Sequence, residues 1–181
     1  KTCKKVRAKG IATYVRGTED GFPEMAQQLD KINYDVMDVP VRTGQFAIKI
    51  KRHIDKNGVM KRLQKGLPSP PPILLLHDGP GLPSRYLEPL AARVCSNGRS
   101  CYMYDQLGCG LSSNLPSVHV DSVDDLQHMV DDLREVLMFL KHSLGEESVH
   151  VIAHGSGGAL LMQTMMKDSW SEGELPKLRS I

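Results

Sequence analysis

The sequence predicts an α/β fold built on a mostly parallel sheet. From Ile73 onward, short apolar segments alternate with amphipathic ones, and the connections between them are short. Residues 73–77, ILLLH, form a nearly continuous apolar run, which is typical of a strand covered on both faces. Strands that alternate with helices usually pair in parallel, so we expect helices on both faces of the sheet.

A β-hairpin precedes this parallel region. Residues 34–41 and 45–53 alternate between apolar and polar side chains, and residues 42–44 join them. In the second strand the apolar residues and the lysines fall on opposite faces, so we expect this strand to be half-buried. The inward set is Phe46, Ile48 and Ile50, and the outward set is Lys49 and Lys51.

The remaining elements follow from periodicity and turn residues. Residues 56–72 end in a proline run and predict an irregular connector. We expect a helix over about 83–97 and strands over 101–105 and 148–153. The clearest helix spans residues 121–144, where apolar residues recur at steps of three and four, and a last helix extends to about residue 167. We assign residues 34–181 to one α/β core and residues 1–33, which lack periodicity, to an N-terminal extension.

Composition excludes several functional classes. The chain is 40% hydrophobic and 24% charged with a net charge of +2, which is ordinary for a globular protein. Its four cysteines show no CxxC pair or zinc spacing, which favours a reducing compartment and predicts a cytoplasmic location. No stretch reaches the ~20 apolar residues of a membrane span, and no phosphate-binding loop or basic aromatic stripe is present. We therefore expect no metal, cofactor, nucleic acid or membrane partner.

Three glycine-containing loops follow the predicted parallel strands. They are HDGPG (77–81), DQLGCG (105–110) and HGSGG (154–158). Ligands of open parallel sheets bind at the carboxyl ends of the strands, so these loops predict the site. Within the second loop we expect Asp105 to hydrogen-bond its own turn rather than to act in catalysis.

These loops carry a resemblance to a known family. LLLHDGPG resembles the HGGPG motif of proline iminopeptidases, YDQLGCGLSS is similar to their YDQxGxGxS segment, and VHxxxHxxGGAL also matches. The resemblance covers roughly residues 34–168. It implies an α/β-hydrolase fold, a mostly parallel sheet with an N-terminal antiparallel hairpin, incomplete at the C-terminus. It also implies a serine hydrolase that releases N-terminal proline from peptides without a metal or cofactor.

The resemblance assigns roles to the first loop and to the last. The backbone N–H groups of Gly79 and Ser156 would form the oxyanion hole. Asp78 stands where the family has its second glycine, and a carboxylate beside a developing oxyanion is unfavourable unless it points away. The motif loop consists of His77, Asp78, Gly79, Pro80 and Gly81.

The nucleophile position is the main departure from the family pattern. The family reads GHSxGGAL here, and aligning the strand and the trailing GGAL places Gly155 on the serine. Glycine suits the positive φ of this turn. In the alternative register, Ser156 is the nucleophile and His154 occupies a crowded glycine position. We favour the first register.

No general base is evident in the sequence. The family places the acid and the histidine after the serine, whereas every histidine of this chain precedes Ser156. We therefore predict little or no peptidase activity for this chain. The alternatives are a non-catalytic hydrolase-like protein that binds a peptide or partner, and another hydrolase such as an esterase or epoxide hydrolase. An incomplete sheet should also leave an exposed edge that favours aggregation or pairing.

Overall fold

The computed structural model describes residues 34–113, 123–167 and 173–181, which form one six-stranded sheet with flanking helices. The strands are β1 (Tyr34–Val41), β2 (Phe46–Ile54), β3 (Ile73–Leu76), β4 (Ser100–Tyr104), β5 (Ser148–Ala153) and β6 (Lys177–Ser180). The helices are α1 (Lys56–Gln64), α2 (Glu88–Val94), α3 (Val123–Met138) and α4 (Ser156–Lys167). Short 3₁₀ turns cover Arg42–Gly44 and Ser84–Leu87, and a π-helical segment, Phe139–Ser143, continues α3. The predicted N-terminal extension, residues 1–33, lies outside the described residues, as do Asp121 and Ser122 of the predicted long helix.

Strand order and direction confirm the predicted combination of a hairpin and a parallel sheet. The order is β1-β2-β4-β3-β5-β6. β2 pairs antiparallel with both β1 and β4, whereas β3 pairs in parallel with β4 and β5, and β5 with β6. The strand β6 was not predicted, because four mostly exposed residues give no apolar pattern.

Strand β3, near the centre of the sheet, is buried on both faces, as its apolar sequence predicts. Leu74 and Leu76 belong to the larger core cluster, which includes the buried side of α3 and part of α4. Leu75 points the other way and packs with Leu87 and Ala91 around α2. Helices therefore cover both sides of the sheet, in agreement with the prediction. The helix predicted over 83–97 is shorter, since Ser84–Leu87 form a 3₁₀ turn and α2 ends at Val94.

The predicted connector over residues 56–72 is wrong in its first half, where α1 forms. The side chain of Asp55 caps this helix by accepting a hydrogen bond from the backbone N–H of Gly58 at 3.0 Å. Gly58 is required within the first turn, because a Cβ there would overlap the backbone of Asn97 and Gly98. The cap favours a helix at this point, and the close approach accounts for the glycine that makes the segment look irregular from composition.

The predicted outward orientation of Lys51 is also wrong. Lys51 is only 3% exposed, and His53 on the same face is 2% exposed. The ammonium of Lys51 lies 3.5 Å from a carboxylate oxygen of Glu88 and 3.7 Å from one of Asp105. Partners from distant parts of the chain therefore allow a charged side chain to be buried on the face that the alternation assigns to solvent.

Candidate functional site

The three glycine-containing loops meet at one edge of the sheet, as the sequence predicts. His77, which is 1% exposed, accepts a hydrogen bond at Nε2 from the backbone N–H of Gln106 at 3.0 Å. Its Nδ1 lies 2.5 Å from the carbonyl oxygen of Asp78. Because Nε2 accepts, Nδ1 carries the proton and donates to that carbonyl. His77 thus joins the first loop to the second through Nε2 and braces its own loop through Nδ1, so neither ring nitrogen is left for proton transfer.

Asp105 closes its own loop, as expected. Its Oδ1 accepts hydrogen bonds from the backbone N–H and the hydroxyl of Ser84, both at 2.7 Å. Its Oδ2 accepts from the backbone N–H of Leu111 at 2.9 Å. Burial alone would raise the pKa of this carboxyl, but the charge of Lys51 and these hydrogen bonds hold it below its usual value. Asp105 is therefore an ionised structural anchor beneath the site.

The turn between β5 and α4 has the geometry of a strand-to-helix elbow. β5 ends at Ala153, α4 begins at Ser156, and Gly155 between them has φ +57°. Glycine adopts this left-handed conformation without the steric cost that a side chain incurs. Gly155 is therefore the residue at the tip of the elbow, and Ser156 is the first residue of the helix.

Ser156 directs its hydroxyl to the backbone of the first loop. Its Oγ accepts a hydrogen bond from the N–H of Gly79 at 2.8 Å and donates to the carbonyl oxygen of Gly79 at 2.5 Å. Among the described residues, the hydrogen bonds of Ser156 include none to a histidine ring. The hydroxyl of Ser156 links two loops and is not paired with a base that could activate it.

The carboxylate of Asp78 lies between the two predicted oxyanion donors. Its Oδ1 accepts hydrogen bonds from the backbone N–H of Ser156 at 2.7 Å and from that of Gly79 at 3.0 Å. The N–H of Ser156 contributes most to lowering the pKa of Asp78 below its usual value. A Cβ on Gly155 would overlap both oxygens of this carboxylate. Asp78 thus does not point away from the donors, and it fills the volume of a side chain at the elbow.

Tyr86 contacts both the first and the third loop at the exposed side of the site, and the sequence analysis did not identify it. Its hydroxyl oxygen accepts a hydrogen bond from the backbone N–H of Asp78 at 2.6 Å. The same oxygen lies 2.9 Å from Nδ1 of His154 at the exposed side of the elbow. Since no motif includes Tyr86, only the way the 3₁₀ turn packs on the elbow reveals it.

The glycines of the first loop differ in what requires them. A Cβ on Gly79 would lie 2.7 Å from Oε1 of Gln106, so this position is crowded. Gly81 has open space around it, but its φ of +87° favours glycine. Oε1 of Gln106 is buried without a hydrogen-bond partner. The side-chain oxygen of Gln106 is therefore a buried acceptor without a hydrogen bond, and it lies next to Gly79 of the first loop.

The described residues offer neither a metal site nor a membrane helix. No group of three or more His, Cys, Asp or Glu side chains among them could hold a metal ion. Helices long and apolar enough to cross a membrane are likewise missing from the described ranges. Cys109 is buried, and burial raises its pKa to about 11, so it is a poor nucleophile at neutral pH.

Comparison with known proteins agrees with the motif resemblance. A family model described as serine aminopeptidase, S33, matches residues 69–171, more than half of the chain. The proline iminopeptidase of Clostridium botulinum is 38% identical over 92 residues, which cover 51% of this chain and 29% of that protein. That of Lactobacillus delbrueckii subsp. lactis is 36% identical over 91 residues, or 50% and 29%. The chain thus spans less than a third of these curated relatives.

Solved structures show the same fold. The proline iminopeptidase of Mycobacterium smegmatis superimposes with a TM-score of 0.54 at 27% identity, covering 76% of this chain and 40% of that one. A bacterial heroin esterase superimposes with a TM-score of 0.58 at 18% identity, over 82% and 43%, which shows the fold alone. The sheet described above is therefore part of an α/β-hydrolase fold, and the chain belongs to the serine aminopeptidase family S33.

Proposed function

We propose that this chain is a proline iminopeptidase-like protein that binds peptides at the edge formed by its three loops but does not hydrolyse them. The observation that carries the proposal is Gly155 at the elbow, with φ +57° and no side chain to attack a carbonyl. Acyl transfer by this family's mechanism needs a nucleophile at that point and a base beside it.

The surroundings of Ser156 argue against it as a substitute nucleophile. Its hydroxyl is engaged by both backbone groups of Gly79, at 2.8 and 2.5 Å. Of the two loop histidines, His77 uses Nε2 to accept a hydrogen bond from the backbone N–H of Gln106. His154 is exposed and bonds with Tyr86. None of these contacts would remove the proton from the hydroxyl of Ser156.

The proposed ligand is a peptide with an N-terminal proline. The support is the name and activity of the relatives, proline iminopeptidases, together with the shared motif loops that form this edge. The release of N-terminal proline is therefore the reaction against which the chain should be tested first. An ester and an epoxide are the second substrates, since they separate this proposal from the other hydrolase classes.

Turnover measurements on the wild type and Ser156→Ala test the loss of hydrolysis. We expect neither protein to release the chromophore from a prolyl arylamide, an aryl ester or an epoxide above the uncatalysed rate. Ser180→Ala, which removes a hydroxyl from β6 at another place in the sheet, is the matched control. Wild-type turnover that persists in Ser180→Ala but disappears in Ser156→Ala would identify Ser156 as the nucleophile and refute the proposal.

Calorimetry with a short peptide tests the binding part separately. A peptide beginning with proline should bind the wild type saturably, and the same peptide acetylated at its N-terminus should bind more weakly. If neither peptide binds, or if both bind equally, the proposed recognition of N-terminal proline is wrong.

A further inference from the structure

We propose that the outer face of α1, together with the segment that follows this helix, binds the surface of an anionic lipid bilayer. We name this patch the basic apolar surface, and it consists of Met60, Leu63, Leu67, Lys56, Lys61 and Lys65. The proposal is independent of the peptide-binding site proposed above. The sequence analysis expected no membrane partner because no stretch is long enough to span a bilayer, but contact with the surface of a bilayer needs no such stretch.

The first argument is the exposure of large apolar side chains on one face of α1. Met60 and Leu63 are both more than half exposed. They are three residues apart, so they are neighbours on the same face of the helix. The opposite face packs against the protein, since Gly58 is buried and a Cβ on Gly98 would lie 2.9 Å from Cδ of Arg62. The apolar face of this helix is therefore turned away from the core.

The second argument is that hydrogen bonds fix the end of this helix. Gly66 has φ +65°, and its N–H donates to the carbonyl oxygen of Leu63 at 3.0 Å. The N–H of Leu67 donates to the carbonyl oxygen of Arg62 at 3.0 Å, which completes a Schellman motif. The guanidinium of Arg62 also donates to the carbonyl oxygen of Pro68, at 2.6 and 2.8 Å. Leu67 is therefore held at the end of α1, and it is exposed there.

The third argument is the charge of this segment. Residues 56–72 contain four basic residues and no acidic one, although the net charge of the whole chain is only +2. The three lysines of the basic apolar surface are all exposed. The carboxylate of Asp55, which precedes the helix, accepts hydrogen bonds from the N–H groups of Gly58 at 3.0 Å and Gly98 at 3.3 Å. Exposed lysines beside apolar side chains suit an anionic bilayer, because ammonium groups attract the headgroups while apolar side chains enter the boundary below them.

An anionic bilayer fits this surface better than a second copy or a protein partner. Two copies that met through it would bring their lysines together, and like charges across an interface are unfavourable. Met60 and Leu63 project from a single short helix, and the fluid headgroup region can accept them without a matching pocket.

The basic apolar surface lies at the edge of the sheet opposite the three glycine-containing loops. α1 follows β2 and leads into β3, and it packs beside the turn that precedes β4, so it lies at the amino ends of the parallel strands. The loops follow the carboxyl ends of β3, β4 and β5. Attachment through α1 would therefore leave the loops directed away from the bilayer.

Flotation of the full 181-residue chain with lipid vesicles tests the proposal, because bound protein rises with the vesicles whereas aggregated protein sinks. We expect flotation with vesicles of phosphatidylcholine and phosphatidylserine in equal amounts, none with pure phosphatidylcholine, and release as the salt concentration rises. In the double variant Lys61→Gln and Lys65→Gln, partition onto the anionic vesicles should fall at least about tenfold. The double variant Lys49→Gln and Lys177→Gln makes the same change in net charge on β2 and β6, and it should bind like the wild type.

A matched pair of methionine variants tests the apolar contribution. Met60 and Met162 of α4 are 56% and 55% exposed. Met60→Ser should bind the anionic vesicles several-fold more weakly, whereas Met162→Ser should bind like the wild type. Equal flotation on neutral and anionic vesicles, equal losses in the two members of either pair, or no flotation of the wild type would overturn the proposal. Binding of poly-L-glutamate by a wild type that does not float would assign the surface to an acidic polypeptide instead.

Discussion

The ammonium of Lys51 lies 3.7 Å from the carboxylate of Asp105, and both side chains are almost completely buried beneath the site. Glu88 of α2 lies 3.5 Å from the same ammonium. Asp105 in turn accepts hydrogen bonds from Ser84, which follows β3, and from Leu111 of its own loop after β4. This charged group therefore connects the hairpin to the segments that follow β3 and β4, and its integrity should determine the stability of the site.

Replacement of Lys51 should destabilise the fold strongly. Lys51→Met keeps most of the side-chain volume but leaves Asp105 and Glu88 buried without their cation. Breaking a buried pair in this way costs about 3–5 kcal/mol in the free energy of unfolding. Urea denaturation measures this change. Lys49→Met on the same strand removes only a more exposed pair with Asp38 and should cost less than about 1 kcal/mol. Equal effects of the two substitutions would contradict a structural role for the buried group.

Lowering the pH should decrease the free energy of unfolding, because His53 is buried in its neutral form. Burial, followed by the charge of Lys51, lowers the pKa of His53 from 6.5 to about 4. Between these values the unfolded chain binds a proton that the folded chain does not, so stability rises with pH and falls as the pH drops from 6.5 towards 4. The full shift corresponds to roughly 3 kcal/mol. His77 contributes with the same sign, because burial lowers its pKa as well.

Unfolding measured across this pH range in His53→Leu checks the assignment. The variant should lose much of the slope between pH 6.5 and 4, while His142→Gln, at an exposed position, should keep it. An unchanged slope in His53→Leu would show that the histidine is not buried in its neutral form.

Two neighbouring glycines provide a matched test of the second loop. Gly110 and Gly108 both have positive φ, +58° and +84°, so alanine at either position incurs backbone strain of about 1–2 kcal/mol. A Cβ on Gly110 would also overlap the carboxylate of Asp105, whereas Gly108 has open space. Gly110→Ala should therefore lower the free energy of unfolding by roughly 1–3 kcal/mol more than Gly108→Ala. Similar losses of unfolding free energy in the two variants would mean that the carboxylate of Asp105 can move aside at little cost.

The same comparison applies to the elbow and measures its coupling to Asp78. Gly155→Ala should lower the melting temperature more than Gly108→Ala in the wild type, because the methyl group displaces the carboxylate. With Asp78→Ala as the background, the two alanine substitutions should have similar effects, since only the backbone strain remains. Additive effects of Asp78→Ala and Gly155→Ala would argue that the two positions do not interact.

Local patterns were sufficient to predict much of the fold. The apolar run of β3 predicts a strand buried on both faces, because no polar side chain interrupts it, and the alternation in the hairpin predicts antiparallel pairing. Alignment of VHVIA and GGAL with the family motif that they resemble predicted Gly155 at the nucleophile position, and in the structure Gly155 lies in the turn between β5 and α4 with φ +57°. By contrast, α1 lies in a segment whose composition predicts an irregular connector, and the close approach of Asn97 and Gly98 that requires glycine at residue 58 is a long-range contact.

Only the tertiary structure determined which groups contact the charged side chains of the site. Alternation assigns Lys51 to solvent, but Glu88 and Asp105 converge on it from other elements and compensate the cost of its burial. The motif identifies Asp78 as an unusual residue, yet only the fold brings its carboxylate to the N–H of Ser156. Hydrophobic periodicity is a local property that a single segment carries, whereas the partner of a buried charge depends on which distant segments pack beside it.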